Sequence, residues 1–306
     1  MDKKTKIAII ICTYNQDILL EKCLLSLKNK TDYKNYKVFL VDDSGKGEIG
    51  KKIKKDFLWV NVTINKKNLG FAGANNIGIK KALKDYSPDY VLLLNDDTEM
   101  VQSNWLKKMI KVGESDDKIG ILGCKIIYPD GSLQNIGGYL KKWEIARELN
   151  ENKKNPFEVD HVMGAFLLVK KEVIKKIDFL DENYNPYLLE DTDYCLNARK
   201  NGFKILSVPR VKIVHKKGKS IDSLKNKEIV KVRMKNDIYF SRKNLSGWNK
   251  FFRIFVYLPL VAILKKKKDI DGFEIKNLKL RKDFLKNLYL WILAFNPEKH
   301  KKIWKN

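Results

Sequence analysis

Cysteine is scarce in this chain, acidic residues are well outnumbered by basic ones, and no uninterrupted apolar stretch reaches the ~20 residues that cross a bilayer. Each shortage excludes something. The four cysteines, Cys12, Cys23, Cys124 and Cys195, include no CxxC pair, so neither a zinc ribbon nor a disulfide framework is expected. They fall in apolar runs and read as reduced, buried small hydrophobes, as in a cytosolic compartment. The opening MDKKTKIAIIIC carries no signal-peptide pattern, and its short apolar run fits a first strand. There is no internal repeat and no low-complexity tract beyond Lys265 to Lys268.

What is present is a folded globular composition, with 44% hydrophobic and 32% charged residues over 306 positions. That length suits one α/β domain with an appendage, or two small domains. Sixty-two Lys and Arg against 37 Asp and Glu give a formal charge of +25. Such an excess attracts nucleic acid, acidic lipid or phosphorylated substrates, although a merely soluble basic surface explains it too. No recognition-helix or zinc signature supports nucleic acid as the partner.

The first hundred residues alternate. Ile7 to Cys12, Tyr36 to Val41, Val60 to Ile64 and Val91 to Leu94 are apolar runs of strand length. Between them Leu19, Leu20, Cys23, Leu24 and Leu27, then Ile53 and Phe57, then Ile77, Ile79 and Leu83 recur at helical spacing. This rhythm predicts parallel strands joined by right-handed crossovers. Thr13 to Asn15, Asp42 to Ser44 and Asn95 to Asp97 then all lie at carboxyl ends of strands, on one rim, where open α/β sheets bind ligands.

The stretch VLLLNDDTEM is the most telling of the three. A buried strand delivers Asn95, Asp96 and Asp97 to its end, and adjacent carboxylates there are relieved by a divalent cation. The plain alternative is a turn in which Asp97 or Thr98 caps the next helix.

Further on, a helix centred on Trp105 and Met109 precedes a strand at Ile119 to Ile127 and a turn at Pro129 to Gly131. Lys141 to Pro156 is a charged excursion with the character of a lid. Val162 to Val169 is expected as a strand, Lys171 to Ile177 and Glu190 to Asn201 as helices, and Lys204 to Val208 and Val211 to Val214 as two strands ending at His215. This half reads as mixed.

Domain boundaries are expected at 1–222, with a donor half near 1–100 and an acceptor half near 101–222, and at 223–306 for a basic helical extension. Trp248 to Leu264 and Phe284 to Phe295 are aromatic, apolar and flanked by lysine. They fit helices lying on an anionic membrane, or faces packed on the core or on a second subunit in an oligomer.

Taken in order, ICTYN, VDDSG, NLGFAGANNIGI, LLLNDDTEM, GAFLLVKKEV and LLEDTDYCLNARKNGF resemble the family 2 glycosyltransferases, and more narrowly a rhamnosyltransferase-like branch that builds cell-surface polysaccharides. The likeness covers about residues 6 to 217. It implies a GT-A fold, Rossmann-like, with a mostly parallel central sheet and helices on both faces, here with a C-terminal basic helical extension. It also implies inverting transfer from a nucleotide sugar with Mg²⁺ or Mn²⁺. The donor is expected to be a UDP- or dTDP-sugar, dTDP-rhamnose among them, and the acceptor a lipid-linked or cell-surface glycan. The place is the cytoplasmic face of the membrane.

By the same resemblance, the DXD motif falls on Asn95, Asp96 and Asp97, with Asn where the family has Asp. Asp97 is the metal ligand and Asp96 touches the donor ribose or sugar. Asp191, beside Glu190, is the catalytic base, and the helix N-terminus favours its anion. His215 contacts metal or diphosphate, unless it is structural; Lys216, Lys217 and Lys219 neutralise diphosphate or are solvated. Thr13, Tyr14, Asn15 and Asp42 contact base and ribose, with Asp43 serving the turn. Asn68, Gly70 and Gly73 lie in the loop whose backbone approaches the donor, and Asn75 and Asn76 stand where relatives often have Arg. Two rivals remain: a nucleotidyltransferase acting on a sugar phosphate, though TYNQD is not its Gly-rich signature, and a non-catalytic basic binding protein.

Overall fold

The structure is a computed structural model that describes residues 5–140, 147–149, 153–216 and 226–257. The chain divides into two compact units, Met1–Ser220 and Ile221–Asn306.

The first unit opens with β1 (Ile7–Thr13), α1 (Asp17–Asn29), β2 (Tyr36–Asp42), α2 (Glu48–Asp56), β3 (Val60–Ile64), α3 (Gly70–Asp85) and β4 (Tyr90–Asn95). It continues with β5 (Thr98–Met100), α4 (Trp105–Gly113), β6 (Ile119–Ile127), β7 (Leu133–Asn135), β8 (Gly138–Tyr139), β9 (Arg147–Glu148) and β10 (Phe157–Glu158). β11 (Phe166–Lys170), α5 (Lys171–Ile177), α6 (Glu190–Lys200) and β12 (Lys204–His215) complete it.

The main sheet runs β10-β12-β6-β11-β4-β1-β2-β3, with β5 pairing β12 and β7 pairing β6. The half from β4 to β3 is parallel throughout. β11 then enters antiparallel to both β4 and β6, while β12 runs parallel to β6. The central sheet is therefore mixed: parallel from β4 to β3 and between β6 and β12, antiparallel at β11. Chain order reverses between β1 and its neighbours β2 and β4, the kind of switch point that opens a crevice at the strand ends.

Alternation along each strand divides the core into two faces. Ile7, Ile9 and Ile11 of β1 pack with Leu20, Leu24 and Leu27 of α1 and Trp105, Leu106 and Met109 of α4. Ala8 and Ile10 face the other way, toward Ile79 and Ala82 of α3, Val173 of α5 and Tyr194 and Ala198 of α6. A strand covered on both faces needs a continuous apolar run, and IAIIIC is one. Each fully buried Ile or Leu here contributes roughly 1.5–3 kcal/mol over its exposed state. All four cysteines are free; Cys23, Cys124 and Cys195 are buried.

Two expected boundaries shift, and short strands appear that were not expected. The strand expected at Val162 to Val169 is Phe166–Lys170, because the chain turns at Gly164. The two strands expected at Lys204 to Val214 are one, β12, with a register shift between Val208 and Lys212 around Pro209. Proline cannot donate to a ladder, and a bulge accommodates it. β5 and β7, three residues each, were not anticipated.

In the second unit, α7 (Asn226–Asn244) and α8 (Gly247–Phe252) are described, with α8 widening into a π-type turn at Arg253–Tyr257. Arg253, 3% exposed, donates from Nε to Ser241 Oγ at 3.0 Å and lies 3.5 Å from Asp237 Oδ1. Among the described residues no helix is long and apolar enough to cross a membrane. Phe284 to Phe295, Lys265 to Lys268, Lys217, Lys219 and most of the Lys141 to Pro156 excursion lie outside the described residues.

Candidate functional site

β4 ends at Asn95, level with Cys12 of β1. The chain then turns through Asp96 and Asp97 into β5, which pairs antiparallel with the end of β12, Thr98 opposite His215. Lys216 N donates to Asp97 O at 3.0 Å and Thr98 Oγ1 to Asn95 O at 2.7 Å, closing the turn. Two residues far apart in sequence are thereby fixed side by side: His215 Nε2 lies 3.1 Å from Asp97 Oδ1, and their side chains are 9% and 5% exposed.

The surroundings of this pair define its chemistry. His215 Nδ1 lies 2.9 Å from Gln134 Oε1, an acceptor that leaves the proton on Nδ1. Asn95 Nδ2, a donor, stands 3.4 Å from His215 Nε2. His215 Nε2 therefore faces Asp97 Oδ1, a buried oxygen that no other hydrogen bond engages. An imidazole nitrogen and a carboxylate oxygen 3.1 Å apart can share a cation, and this pairing suits Mn²⁺ or Mg²⁺. The residues fit such an ion. Among the described residues no group of three or more His, Cys, Asp or Glu assembles.

Asp96 occupies the switch point itself. Burial pushes its carboxyl up to about 7; the Thr13 side chain pulls the other way, and the Asp97 charge adds to the rise. Thr13 is 1% exposed and its Oγ1 makes no hydrogen bond of good geometry. Tyr14, 47% exposed, and Asn15, in the left-handed region at φ 58°, project beyond it at the rim. Lys216 pairs with Glu99 at 2.5 Å.

Asp42 is held by backbone at the end of β2. Asp42 is 0% exposed, and its two oxygens accept Ser44 N at 3.0 Å and Gly50 N at 2.7 Å. It fastens the turn from β2 to α2. Asp43 accepts from Asn65 Nδ2, Leu69 N and Gly70 N, which moors the Asn68–Gly70 loop at the rim. Asn68 Oδ1 also accepts from Gly70 N. Gly70 has φ 72°, and a Cβ there would stand 2.8 Å from Asn185 Oδ1, so glycine is needed on both counts. Asn75 is 2% exposed and donates to Phe71 O within α3. Asn76 stitches α3 to the Leu180 turn, donating to Leu180 O and Glu182 Oε1 and accepting from Leu180 N.

Glu190 and Asp191 begin α6 after two left-handed residues, Leu188 at φ 80° and Leu189 at φ 74°. Non-glycine residues rarely adopt this conformation, and such strain gathers at functional sites. Their carboxylates differ. Asp191 is partly exposed, accepting Gly164 N at 2.7 Å on Oδ2 and Thr192 N at 2.6 Å on Oδ1. Glu190 is 6% exposed with Oε2 unpartnered, and burial, then Asp191's charge, raise its carboxyl well above the ordinary range. Glu190 suits holding a proton, and Asp191 suits accepting one.

The two carboxylate centres share one rim. Asn95 N donates to Ala165 O at 3.2 Å, and the adjoining Gly164 holds Asp191. Gly164 and Gln134 went unnoticed in the sequence. The motif GAFLLV contains the first, but nothing local marks the second, which lies 81 positions from His215.

A sequence model described as Glycosyl transferase family 2 matches residues 8–178. Low-salt glycan biosynthesis hexosyltransferase Agl10 of Haloferax volcanii is 23% identical over 67% of this chain and 70% of its own length. GalNAc(5)-diNAcBac-PP-undecaprenol beta-1,3-glucosyltransferase of Campylobacter jejuni is 26% identical over 58% of this chain and 56% of its own. An uncharacterized Sinorhizobium fredii protein, y4gI, is 23% identical over 70% of this chain, which spans only 25% of it. Among solved structures, GalNAc-T7 with UDP, GalNAc and Mn²⁺ matches 97% of this chain and 59% of that one, with TM-score 0.60 and 17% identity. The mannosyltransferase PcManGT of Pyrobaculum calidifontis, with GDP-Man and Mn²⁺, matches 95% and 81%, with TM-score 0.56 and 13% identity. These two likenesses establish a GT-A fold.

Proposed function

The chain belongs to glycosyl transferase family 2, and from that premise we propose that it is a metal-dependent, inverting glycosyltransferase of glycan biosynthesis. The donor is a UDP- or dTDP-sugar, dTDP-rhamnose among them if the rhamnosyltransferase-like branch is right. The acceptor is lipid-linked or a growing cell-surface polysaccharide. The name of the Campylobacter jejuni relative, a diphosphate-linked polyprenol glycosyltransferase, supports the lipid-linked choice.

One observation carries this reading: a cation-ready pair, Asp97 and His215, on the same rim as a backbone-anchored carboxylate, Asp191. Asp97 and His215 would hold Mn²⁺ or Mg²⁺, which when bound supplies Lewis-acid compensation for the departing diphosphate. Asp96 orients the donor ribose or sugar, and Thr13, Tyr14, Asn15, Asn68 and Gly70 form the nucleotide side of the crevice. Asp191 accepts the proton of the acceptor hydroxyl as its oxygen bonds to the anomeric carbon and the bond from that carbon to the diphosphate breaks. One in-line displacement inverts the configuration.

The second unit supports an anionic membrane as the place of work. Trp248, Phe251 and Phe255 stack at 5.2 and 4.9 Å between successive rings, and they are 72%, 47% and 46% exposed. Aromatic side chains on a chain of charge +25 suit the interface of an acidic leaflet, here the cytoplasmic one.

A thermal-shift screen of UDP-, dTDP- and GDP-sugars, with and without Mn²⁺ or Mg²⁺, tests the function. The expected result is stabilisation that needs both metal and one nucleotide type. Stabilisation by a nucleoside triphosphate with a sugar phosphate would favour a nucleotidyltransferase instead. A response only to DNA or RNA would favour a binding protein.

A further inference from the structure

We infer that Gln134 is a positioning residue: it sets the tautomer of His215 so that Nε2 faces Asp97 as a metal-ligating lone pair. The inference rests on the metal-dependent reading above and deepens it.

Three observations converge. First, Gln134 Oε1 lies 2.9 Å from His215 Nδ1. An amide oxygen accepts, so Nδ1 carries the proton, and in a neutral ring Nε2 does not. Second, Nε2 is the ring nitrogen turned toward the acidic turn. Asn95 Nδ2, a donor, stands at 3.4 Å, and Asp97 Oδ1, an unpartnered buried acceptor, at 3.1 Å. Third, the backbone explains how Gln134 comes to reach this far. In the β6·β7 ladder, Ile127 pairs with Leu133 and Ile126 with Asn135, a register shift that leaves Gln134 as the extra residue. A bulge of this kind re-aims a side chain, often beside an active site.

The consequence is specific to a site with few protein ligands. With Asp97 and His215 as the candidate ligands among the described residues, the orientation of one imidazole decides half of that set. A partner on the distal nitrogen fixes ring and tautomer, and losing such a partner costs roughly 10- to 100-fold in metal affinity. Asn95 gains a meaning as well. At the position where an aspartate would add a third acceptor, its amide places a donor on the Nε2 side.

The test uses the full chain and two readouts apart from turnover. Mn²⁺ affinity is measured by electron paramagnetic resonance titration of wild type, Gln134→Leu, Gln134→Glu and Asp97→Ala. The His215 tautomer of metal-free protein is read from long-range ¹H–¹⁵N spectra, tractable with 3 histidines in the chain and assigned through His215→Gln. Wild type is expected in the Nδ1–H form. Gln134→Leu is expected to bind Mn²⁺ roughly 10- to 100-fold more weakly. Gln134→Glu, which keeps an acceptor at the same reach, is expected to retain affinity. Mn²⁺ affinity lost in Asp97→Ala but kept in Gln134→Leu overturns this inference alone, as does wild type in the Nε2–H form. Wild type with no Mn²⁺ affinity overturns the metal reading and the inference with it.

Discussion

Gly164 donates its backbone N–H to Asp191 Oδ2 at 2.7 Å, and a Cβ on Gly164 would stand 3.2 Å from that same oxygen and 3.2 Å from Phe71 Cζ. The glycine lets backbone approach carboxylate while leaving no room for a side chain. Gly164→Ala keeps the donor yet crowds its partner. Small misplacements of a catalytic group cost up to about 10²-fold. Turnover is therefore expected to fall roughly 10- to 100-fold with the donor KM little changed, as steady-state transfer kinetics would reveal.

Glu190 gives a prediction about pH. Its carboxyl is raised in the fold, chiefly by burial, so the folded chain keeps this proton to higher pH than the unfolded one does. The associated stability is present below the unfolded pKa of about 4.3 and is lost as pH rises toward the folded value. Across that window the wild type loses about 1.4 kcal/mol per pH unit relative to a residue that cannot ionise. Glu190→Gln should melt at nearly the wild-type temperature near pH 4.5 and clearly higher at pH 7. A lower melting point for the variant at neutral pH would refute the assignment.

Asp42 separates a structural from a binding role. Both oxygens accept backbone N–H groups, so Asp42→Asn sets an amide N–H against a donor. The expected cost is about 1–3 kcal/mol of stability, seen as a lower Tm, with the donor KM within about twofold of wild type once folded. If the variant melts like wild type while the donor KM rises tenfold or more, the carboxylate serves the nucleotide after all.

The first half of the fold was legible because β1, β2 and β4 are buried along nearly their whole length and so spell themselves as apolar runs. Val60–Ile64, Ile119–Ile127 and Lys171–Ile177 begin and end where periodicity puts them. Pro209 divided β12 in the reading, because a prolyl break and a prolyl bulge look alike in one dimension. β5 and β7 are short and mostly polar, and only their pairing with β12 and β6 makes them strands.

For the site, Asp96, Asp97, Glu190, Asp191 and His215 stood out because their residue types and spacing resemble a family pattern. The resemblance put Asp42 at the base and Asp43 in the turn; what the sequence did not show is that both carboxylates accept backbone N–H groups, from Ser44 and Gly50 and from Leu69 and Gly70. Gln134 was invisible, since its value comes from a bulge and a contact to a distant strand. A glutamine in a loop-like stretch carries no local mark of either.

The central claim is that Asp191 takes the acceptor proton. Its most direct test is the turnover of purified Asp191→Asn, with metal, the donor that the thermal-shift screen selects, and a matching acceptor. The amide keeps the size of the carboxylate and cannot accept the proton. The account predicts turnover lower by roughly 10²- to 10⁴-fold, with donor binding and melting temperature near wild type. Full turnover by that variant would contradict it.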